Sequence, residues 1–356
     1  MKRVIMGVVS ALWLCLAQAA PSDVLHIYNW SGSLSDDIVK RFEAECQCKV
    51  VQDFYGDNEE MLAKLAAGAT GYDMVFPSSF VIQAMIKQKL LLPLDKSKLP
   101  NIANMDPAFM KQGWDPQNTY AIPTVLSLTS VGYNTEKLKA LNIDPGSWSV
   151  VFDPKVLARL KGRVTVLDSS REVFAAALMY LGKDPNKATE ADYRQAQQVI
   201  KTAKPYWAAF SNASYLKELA VGDIWVSLGY STEFFQANED ARHARRAFAV
   251  ANVPQKEGNE LGIDTMAILS RAKRPDLALR FMNFMMDGKN AAQLTNLNGA
   301  TNPVRSARPY FRKDLKTHPV ISPDPVSVRK WTVLRELTPA ERRLLTRLWT
   351  EVKVAR

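Results

Sequence analysis

The sequence predicts an α/β protein in which a parallel sheet carries helices on both of its faces. Two observations predict this class. Short apolar runs alternate with segments of helical period, and the alternation occurs in two separate series along the chain. The chain has 356 residues, of which 47% are hydrophobic, so it is long enough for two domains with separate cores.

The first series begins with a strand over residues 24–28. Ser33 or Ser35 is predicted to cap the following helix, because Asp36 and Asp37 would lie in its first turn. The other elements of this series are a strand over 50–54, the helix "DNEEMLAKLAAG" with Asn58 as its cap and Gly68 as its end, the short strand "YDMVF", and the helix "SSFVIQAMIKQ", which begins at Ser78 and Ser79.

The second series begins after "VGYNTEKL". The strands "RVTVLD" and "DIWVSLG" alternate with the helices "REVFAAALMYLG", "EADYRQAQQVIKTA" and "STEFFQA". The runs "RAFAVANVP" and "LGIDTMAIL" are predicted to be strands that return toward the first unit. The helix "PDLALRFMNFMM" follows, and after a proline-rich, basic passage over 303–329 the amphipathic helix "TPAERRLLTRLWTEV" closes the chain.

Residues 1–19 have the features of a secretory signal peptide. "MKR" is a positive start, "VIMGVVSALWLCL" an apolar core, and Ala17-Gln18-Ala19 a small-x-small cleavage site. The apolar run is too short to cross a membrane, and no later segment approaches that length. We therefore expect cleavage after Ala19 and a soluble, exported protein.

Two cysteines remain after this cleavage, Cys46 and Cys48. One interpretation makes Cys48 a small apolar filler just before a strand. The other is a disulfide, which an oxidising compartment allows but which is strained across a single intervening residue. A metal site is not expected, because no histidine is near them in the sequence.

The net charge is +10, or +8 without Lys2 and Arg3 of the signal. Such a charge often indicates an anionic partner. Here the basic residues are scattered, as in "ARHARR" and "ERRLLTR", and no aromatic-interleaved or Gly-rich basic motif accompanies them. We interpret them as solvated faces that could also help docking to a membrane partner, and expect no nucleic-acid binding.

Signals for catalysis are weak. His26, His243 and His318 have no metal-ligand spacing, and the sequence contains neither a nucleophile elbow nor a phosphate-binding Gly-rich loop. His26 lies within the first predicted strand and is interpreted as a sheet residue. No acid–base pair with a nucleophile can be named, so we expect no enzyme activity, no metal and no cofactor.

Side chains able to hold a ligand recur directly after predicted strands, the edge where α/β sheets bind ligands. Trp30 and Ser31 follow the first strand. The others are Ser78 after "YDMVF", Asp168, Ser169 and Glu172 after "RVTVL", Tyr230 and Glu233 after "DIWVSLG", and Asp264 inside the apolar run "LGIDTMAIL".

Each of these has a simpler alternative. Ser78 could be only a helix cap, and Glu233 could only match the dipole of its helix. Asp264 is hardest to explain in this way, because a carboxylate in a buried strand must be paired or hydrogen-bonded. Three carboxylates and two aromatic faces together suit an alkylammonium, since an ammonium over an aromatic ring gains roughly 0.5–2 kcal/mol.

The blocks "LHIYNWS", "GYDMVFPSS", "PLDKSKLPN", "GYNTEKL", "REVFAAALMYLGKDPN", "GDIWVSLGYSTE" and "RLWTEVKV" resemble the periplasmic polyamine-binding proteins, the putrescine- and spermidine-type receptors of ABC importers. The resemblance covers nearly the whole chain after the signal and keeps the order of the blocks. It implies a two-lobed periplasmic binding protein of type II topology with the ligand in the cleft between the lobes.

The resemblance also implies how the chain divides. Lobe one would comprise residues 24–134 and 264–307, and lobe two residues 135–263 and 308–356. The lobes would close on the ligand by hinge motion, and an inner-membrane permease would recognise the closed form. The protein is then expected to be a periplasmic monomer that delivers an amine to an ABC transporter.

By the same resemblance the amine site consists of seven residues: Trp30, Ser31, Ser78, Glu172, Tyr230, Glu233 and Asp264. The chain departs from the family where aromatic residues are usual, with Ser33, Gly262 and Gly299, and Ser169 stands where the spermidine branch often has an acid. The two glycines are expected to open space for a bulkier or differently shaped amine.

Two other functions are open at this point. The same fold could bind an anion at the helix starts near Ser31–Ser33 and Ser78–Ser79, helped by Arg171. The chain could also be a signalling receptor with altered ligand specificity.

Overall fold

The structure is a computed structural model that describes residues 23–355. The predicted signal peptide over 1–19 lies outside the described residues. Within them the strands are β1 (Val24–Trp30), β2 (Lys49–Tyr55), β3 (Met74–Val75), β4 (Ala121–Asn134), β5 (Val164–Val166), β6 (Ala209–Phe210), β7 (Val226–Tyr230), β8 (Val250–Val253), β9 (Asn259–Ile268) and β10 (Trp331–Thr332).

The α-helices of the same range pack around these strands. They are α1 (Asp36–Cys46), α2 (Asn58–Ala66), α3 (Ser79–Lys87), α4 (Thr135–Ala140), α5 (Ser149–Phe152), α6 (Pro154–Leu157), α7 (Ser170–Tyr180), α8 (Glu190–Ala203), α9 (Ser214–Val221), α10 (Ser231–His243), α11 (Pro275–Met285), α12 (Gly288–Asn298), α13 (Pro325–Val328) and α14 (Pro339–Val354).

Helix starts follow the local chemistry of the sequence. Ser35, one of the two predicted caps of α1, accepts a hydrogen bond from the backbone N–H of Ile38. The predicted cap of α2 is wrong by one residue, because Asp57 accepts the capping bond and Asn58 is already helical. The amide of Asn58 is instead used to hold Ser78, as described below.

The described strands form one sheet in the order β2-β1-β3-β9-β4-β7-β5-β6, with β8 attached to β4 and β10 to β9. The strand β1 runs parallel to β2 and β3, and β5 runs parallel to β6 and β7. Between these parallel parts, β4 and β9 pair with each other in antiparallel register. The predicted α/β class is therefore confirmed, with an antiparallel centre between two parallel halves.

The long strand β4 was not predicted from the sequence. Eleven of its 14 residues are buried, so it lacks the alternation of apolar and polar residues that marks a half-exposed strand. Pro123 also interrupts the pattern, and the β4–β9 register shifts beside it, between Pro123 and Val125.

Two lobes share this sheet, and β4 contributes side chains to the cores of both. Ile27 and Phe281 lie in one hydrophobic cluster, and a second cluster beside it contains Leu128. A third cluster, which includes Val131 and Phe174, forms the core of the other lobe. Leu128 and Val131 therefore belong to the cores of different lobes although both lie on β4, which indicates that the lobes are joined through continuous β-structure.

The C-terminal segment divides between the two cores. Phe311, Leu315 and Ile321 pack with the cluster that contains Ile27, whereas α14 buries Leu348 in the cluster that contains Val131. Residues 308–356 were predicted to lie wholly in lobe two, and these contacts favour moving the first part of that segment to lobe one. The lobe boundaries as such remain a prediction.

Cys46 and Cys48 are joined by a disulfide at the end of α1. Of the two interpretations that the sequence left open, the disulfide is therefore the one that the structure shows. Cys48 also fills apolar space, because it is buried in the cluster that contains Ile27.

Across residues 23–355, none of the helices combines the length and the apolar character needed to cross a membrane.

Gly132 in β4 provides a test of how tightly lobe two packs. A methyl group added there would overlap the ring of Phe234, which is itself fully buried. We expect Gly132→Ala to lower the free energy of unfolding by about 1–3 kcal/mol through overpacking. Gly113→Ala is the matched control, because an added methyl group there meets no atom within 4 Å. Equal denaturation midpoints for the two variants would contradict the packing described.

Candidate functional site

An aromatic corner forms at the carboxyl ends of β1 and β2. Trp30 and Tyr55 are register partners on these parallel strands, and their ring centroids lie 4.4 Å apart. The indole N–H of Trp30 and the hydroxyl of Tyr55 both donate to the carbonyl of Phe76, at 2.9 and 2.6 Å. These two bonds to one carbonyl fix the positions of both rings. Ser31, the next residue after Trp30, is exposed.

Tyr55 was missed in the sequence analysis. Its position at the end of β2 could have been inferred from the pairing of the first two parallel strands, which brings their last residues side by side. The single sequence predicts both strands but does not state that they are neighbours.

Asp264 lies on β9 beside this corner. The Ser78 hydroxyl donates to its Oδ1 at 2.6 Å, and Ser78 is itself held by the Asn58 amide through bonds of 3.1 and 3.2 Å. Ser78 occupies the cap position of α3 but makes no capping bond with its side chain, so the interpretation of Ser78 as only a helix cap is wrong. Burial raises the pKa of Asp264 to about 6, against the opposing effect of the Ser78 hydrogen bond.

A second group of side chains comes from the other lobe. The Tyr230 hydroxyl donates to Oε1 of Glu172 at 3.3 Å, and the Ser169 hydroxyl donates to Oε2 of the same carboxylate. Burial raises the pKa of Tyr230, and the negative charges of Glu172, Glu260 and Asp264 raise it further. Carboxylates on both lobes therefore act electrostatically on one tyrosine.

Glu260 belongs to this group and was not predicted. Its Oε2 accepts a hydrogen bond of 2.8 Å from the Thr129 hydroxyl on the neighbouring strand β4. Burial raises the pKa of Glu260 to about 8, and the charge of Glu172 contributes in the same direction. The sequence did carry a signal, because residues four apart on a strand share a face and Glu260 precedes Asp264 by four.

Glu233 is placed differently from the other acids. Its carboxylate accepts a hydrogen bond from the Tyr215 hydroxyl, which in turn accepts the backbone N–H of Tyr230 at 3.1 Å. Burial raises the pKa of Glu233 to about 7. The structure thus connects Glu233 to Tyr230 through Tyr215, and does not bring its carboxylate into hydrogen-bond contact with Glu172 or Asp264 among the described residues.

The two glycines that replace family aromatics have different surroundings. Gly262 is exposed, and an added Cβ would approach only the Ser127 carbonyl, at 3.4 Å, so this position does leave space. Gly299 does not, because the ring of Phe235 occupies the place of its missing side chain. Gly299 ends α12 with a φ of 67°, a conformation that favours glycine. Ser33 uses its hydroxyl locally, donating to the Trp30 carbonyl at 2.9 Å.

A separate cavity of about 600 Å³ opens between the segment around Asp106 and the proline-rich C-terminal passage. Its lining combines apolar residues with basic ones: Phe109, Phe311, Ile321, Arg305, Arg308 and Arg329. None of the carboxylates described above lines this cavity, so the cavity is separate from the group of acids near Tyr230.

Over residues 23–355, no cluster of three or more histidine, cysteine or acidic residues could hold a metal ion.

Comparisons with known proteins show which family the chain resembles. The family described as bacterial extracellular solute-binding protein matches residues 37–320. A putrescine/cadaverine-binding protein of Pseudomonas aeruginosa is 44% identical over 354 residues, which cover 99% of each chain. The putrescine-binding periplasmic protein PotF of Escherichia coli is 36% identical over 94% of this chain and 92% of PotF.

A solved structure of similar fold is the spermidine/putrescine ABC transporter substrate-binding protein PotD of Streptococcus pneumoniae. It superposes with a TM-score of 0.86 over 94% of this chain and 99% of that chain, at 24% sequence identity. This likeness confirms the two-lobed fold.

Glu233 gives the site a measurable pH dependence. Its pKa of about 7 in the folded protein lies above the usual glutamate value of 4.5, so near neutral pH the folded state retains a proton that the unfolded state has lost. The resulting stability is present below about pH 4.5 and is lost as the pH rises through 7. For Glu233→Gln we expect the drop in unfolding free energy between pH 5 and pH 8 to be smaller by about 2 kcal/mol.

Denaturant titrations of the ligand-free protein at the two pH values measure this difference. Glu59→Gln is the control, since it removes an exposed carboxylate from the first turn of α2. An unchanged pH dependence in Glu233→Gln would mean that this carboxyl group is not desolvated.

Proposed function

The chain belongs to the bacterial extracellular solute-binding protein family, and we propose that it captures a polyamine or a related organic cation and delivers it to the permease of an ABC importer. Relatives that match nearly the whole chain are named for putrescine, cadaverine or spermidine. Several are periplasmic by name, which supports the same location for this protein and agrees with the predicted signal peptide.

The observation that carries the proposal is the charge of the site. Asp264 on one side and Glu172 with Glu260 on the other act on Tyr230, and each acid is met by a hydroxyl that donates a hydrogen bond but brings no positive charge. Partly buried carboxylates in this arrangement are stabilised by a cation that enters between them.

The aromatic corner adds the second element of amine recognition. Trp30 and Tyr55 lie beside Asp264. Burial raises the pKa of Tyr55, and the charge of Asp264 raises it further. An ammonium that donates to Asp264 can lie against an aromatic face, which contributes roughly 0.5–2 kcal/mol, and its methylene chain can pack on the rings. We assign Trp30, Ser78 and Asp264 to one ammonium and Glu172 and Tyr230 to the other end of the ligand.

An anionic ligand is disfavoured by the same residues. Arg171 was the cation expected to help an anion, but its guanidinium donates to the backbone carbonyl of Arg335. The carboxylates would repel an anion at the positions where they converge.

We infer that the protein binds its ligand without catalysis, that it is a monomer and that it has no nucleic-acid partner. We assign Ser31 and Glu233 to the margin of the amine site.

The proposal is tested by thermal unfolding with a panel of ligands. Putrescine, cadaverine and spermidine should each be compared with succinate and phosphate. A ligand at one hundred times its Kd adds about 2.7 kcal/mol of stability, which for a chain of this size corresponds to a rise in Tm on the order of 5 °C. We expect such a rise for at least one amine and none for the anions.

Asp264→Asn should weaken binding of that amine by about 10- to 100-fold, because it removes the charge from one charge-assisted hydrogen bond. Asp37→Asn is the control, since it removes the same charge from an exposed position in α1. Stabilisation by an anion, or equal amine affinity in both variants, would overturn the proposed site.

A further inference from the structure

We propose that Glu260 is a specificity-determining residue, which forms with Glu172 a two-carboxylate subsite for the second cationic nitrogen of the ligand. This inference rests on the proposed function, because it assigns a role within the same amine site. It adds a residue that was not among the site residues predicted from the sequence or implied by the family resemblance, and it makes the site favour cations with two separated charges.

The first step is a row of side chains across three neighbouring strands. Thr129 on β4 is the register partner of Glu260 on β9 and of Tyr230 on β7. Partners in this sense project from the same face of a sheet, so the three side chains lie in one row. A hydrogen bond joins Thr129 to Glu260 within the row, and the bond from Tyr230 to Glu172 extends the row at one end.

The second step is the spacing along β9. Glu260, Gly262 and Asp264 alternate with buried residues and therefore share one face of the strand. Four residues of strand span about 13 Å, so the two carboxylates are far enough apart for one extended ligand to contact both. Gly262 between them leaves the backbone uncovered, and a methylene chain can lie along it.

The third step is the proximity of like charges. Glu260 faces Glu172 and Arg171 from α7, Tyr230 from β7, and the Thr129 hydroxyl from β4, while Asp264 follows on its own strand. Two neighbouring carboxylates that are partly desolvated do not ionise together easily, so the empty pair retains a proton near neutral pH. A cationic nitrogen that enters the pair stabilises both ionised forms and releases this proton.

A purely structural role for Glu260 makes a different prediction. If its carboxylate served only to accept the hydrogen bond from Thr129, Glu260→Gln would keep that bond through the amide oxygen and leave ligand binding unchanged. The proposed subsite instead requires the negative charge. The glutamine variant therefore separates the two roles while keeping the shape of the side chain.

The experiment compares wild type, Glu260→Gln and the exposed control Glu59→Gln by isothermal titration calorimetry at pH 7. The probes are cadaverine, with two ammonium groups, and pentylamine, with one. For Glu260→Gln we expect the Kd of cadaverine to rise by about 10- to 100-fold, and that of pentylamine, held at Asp264, to change by less than about twofold. Glu59→Gln should match the wild type with both probes.

Titrations in two buffers of different ionisation enthalpy measure proton release. Cadaverine binding to Glu260→Gln should release close to one proton fewer than binding to wild type. The ligand-free Tm at pH 8 verifies folding, and we expect the variant to equal or exceed the wild type, because it lacks a desolvated carboxylate.

Each other outcome has a distinct meaning. If wild type binds cadaverine but Glu260→Gln binds it equally well with the same proton release, the subsite is overturned and the proposed function stands. A Tm clearly below that of wild type assigns Glu260 a structural role and also overturns the subsite. If wild type binds neither amine, this inference fails, and the proposed function fails with it only if putrescine and spermidine also leave the Tm unchanged.

Discussion

Negative charge that is desolvated without a salt bridge among the described residues is the constraint on which the site depends. Asp264 and Glu260 accept hydrogen bonds from Ser78 and Thr129, and these hydroxyls satisfy oxygen atoms without neutralising the carboxylates. Burial accordingly raises the pKa of both acids. Burial of these carboxylates lowers the stability of the ligand-free protein, and a cation that binds between them raises it again. The proposed affinity for cations and the electrostatic cost of burying these carboxylates in the ligand-free protein therefore have one physical origin.

The fold places these charges through two long antiparallel strands. The strand β9 pairs with β4, which contributes to the cores of both lobes, and one face of β9 carries Asp264 toward the aromatic corner and Glu260 toward Glu172. The corner itself depends on the parallel pairing of β1 and β2, which brings Trp30 beside Tyr55. Closure of the lobes would thus bring fixed groups together around the ligand without building the site anew.

Much of this could be predicted from local sequence patterns, and what was missed needed information about register. The span of α8 follows from its helical period and its capping residues, and the alternation of strands and helices in two series follows from the same kind of pattern. Tyr55 becomes visible only when strands are paired, and the same register is needed to place Glu260 beside Tyr230, although its spacing from Asp264 was a signal in the sequence. The strand β4 lacks alternation because both of its faces are mostly buried. Gly299 was expected to open space, but a single sequence could not show that Phe235 fills it.

A crystal structure of the protein with cadaverine tests the central claim most directly. The account predicts one nitrogen within about 3.2 Å of the Asp264 carboxylate and the other within that distance of Glu172 or Glu260, with the methylene chain along Gly262. Cadaverine bound elsewhere, for example in the basic cavity beside Arg305, or bound in the cleft with neither nitrogen at these carboxylates, would contradict it.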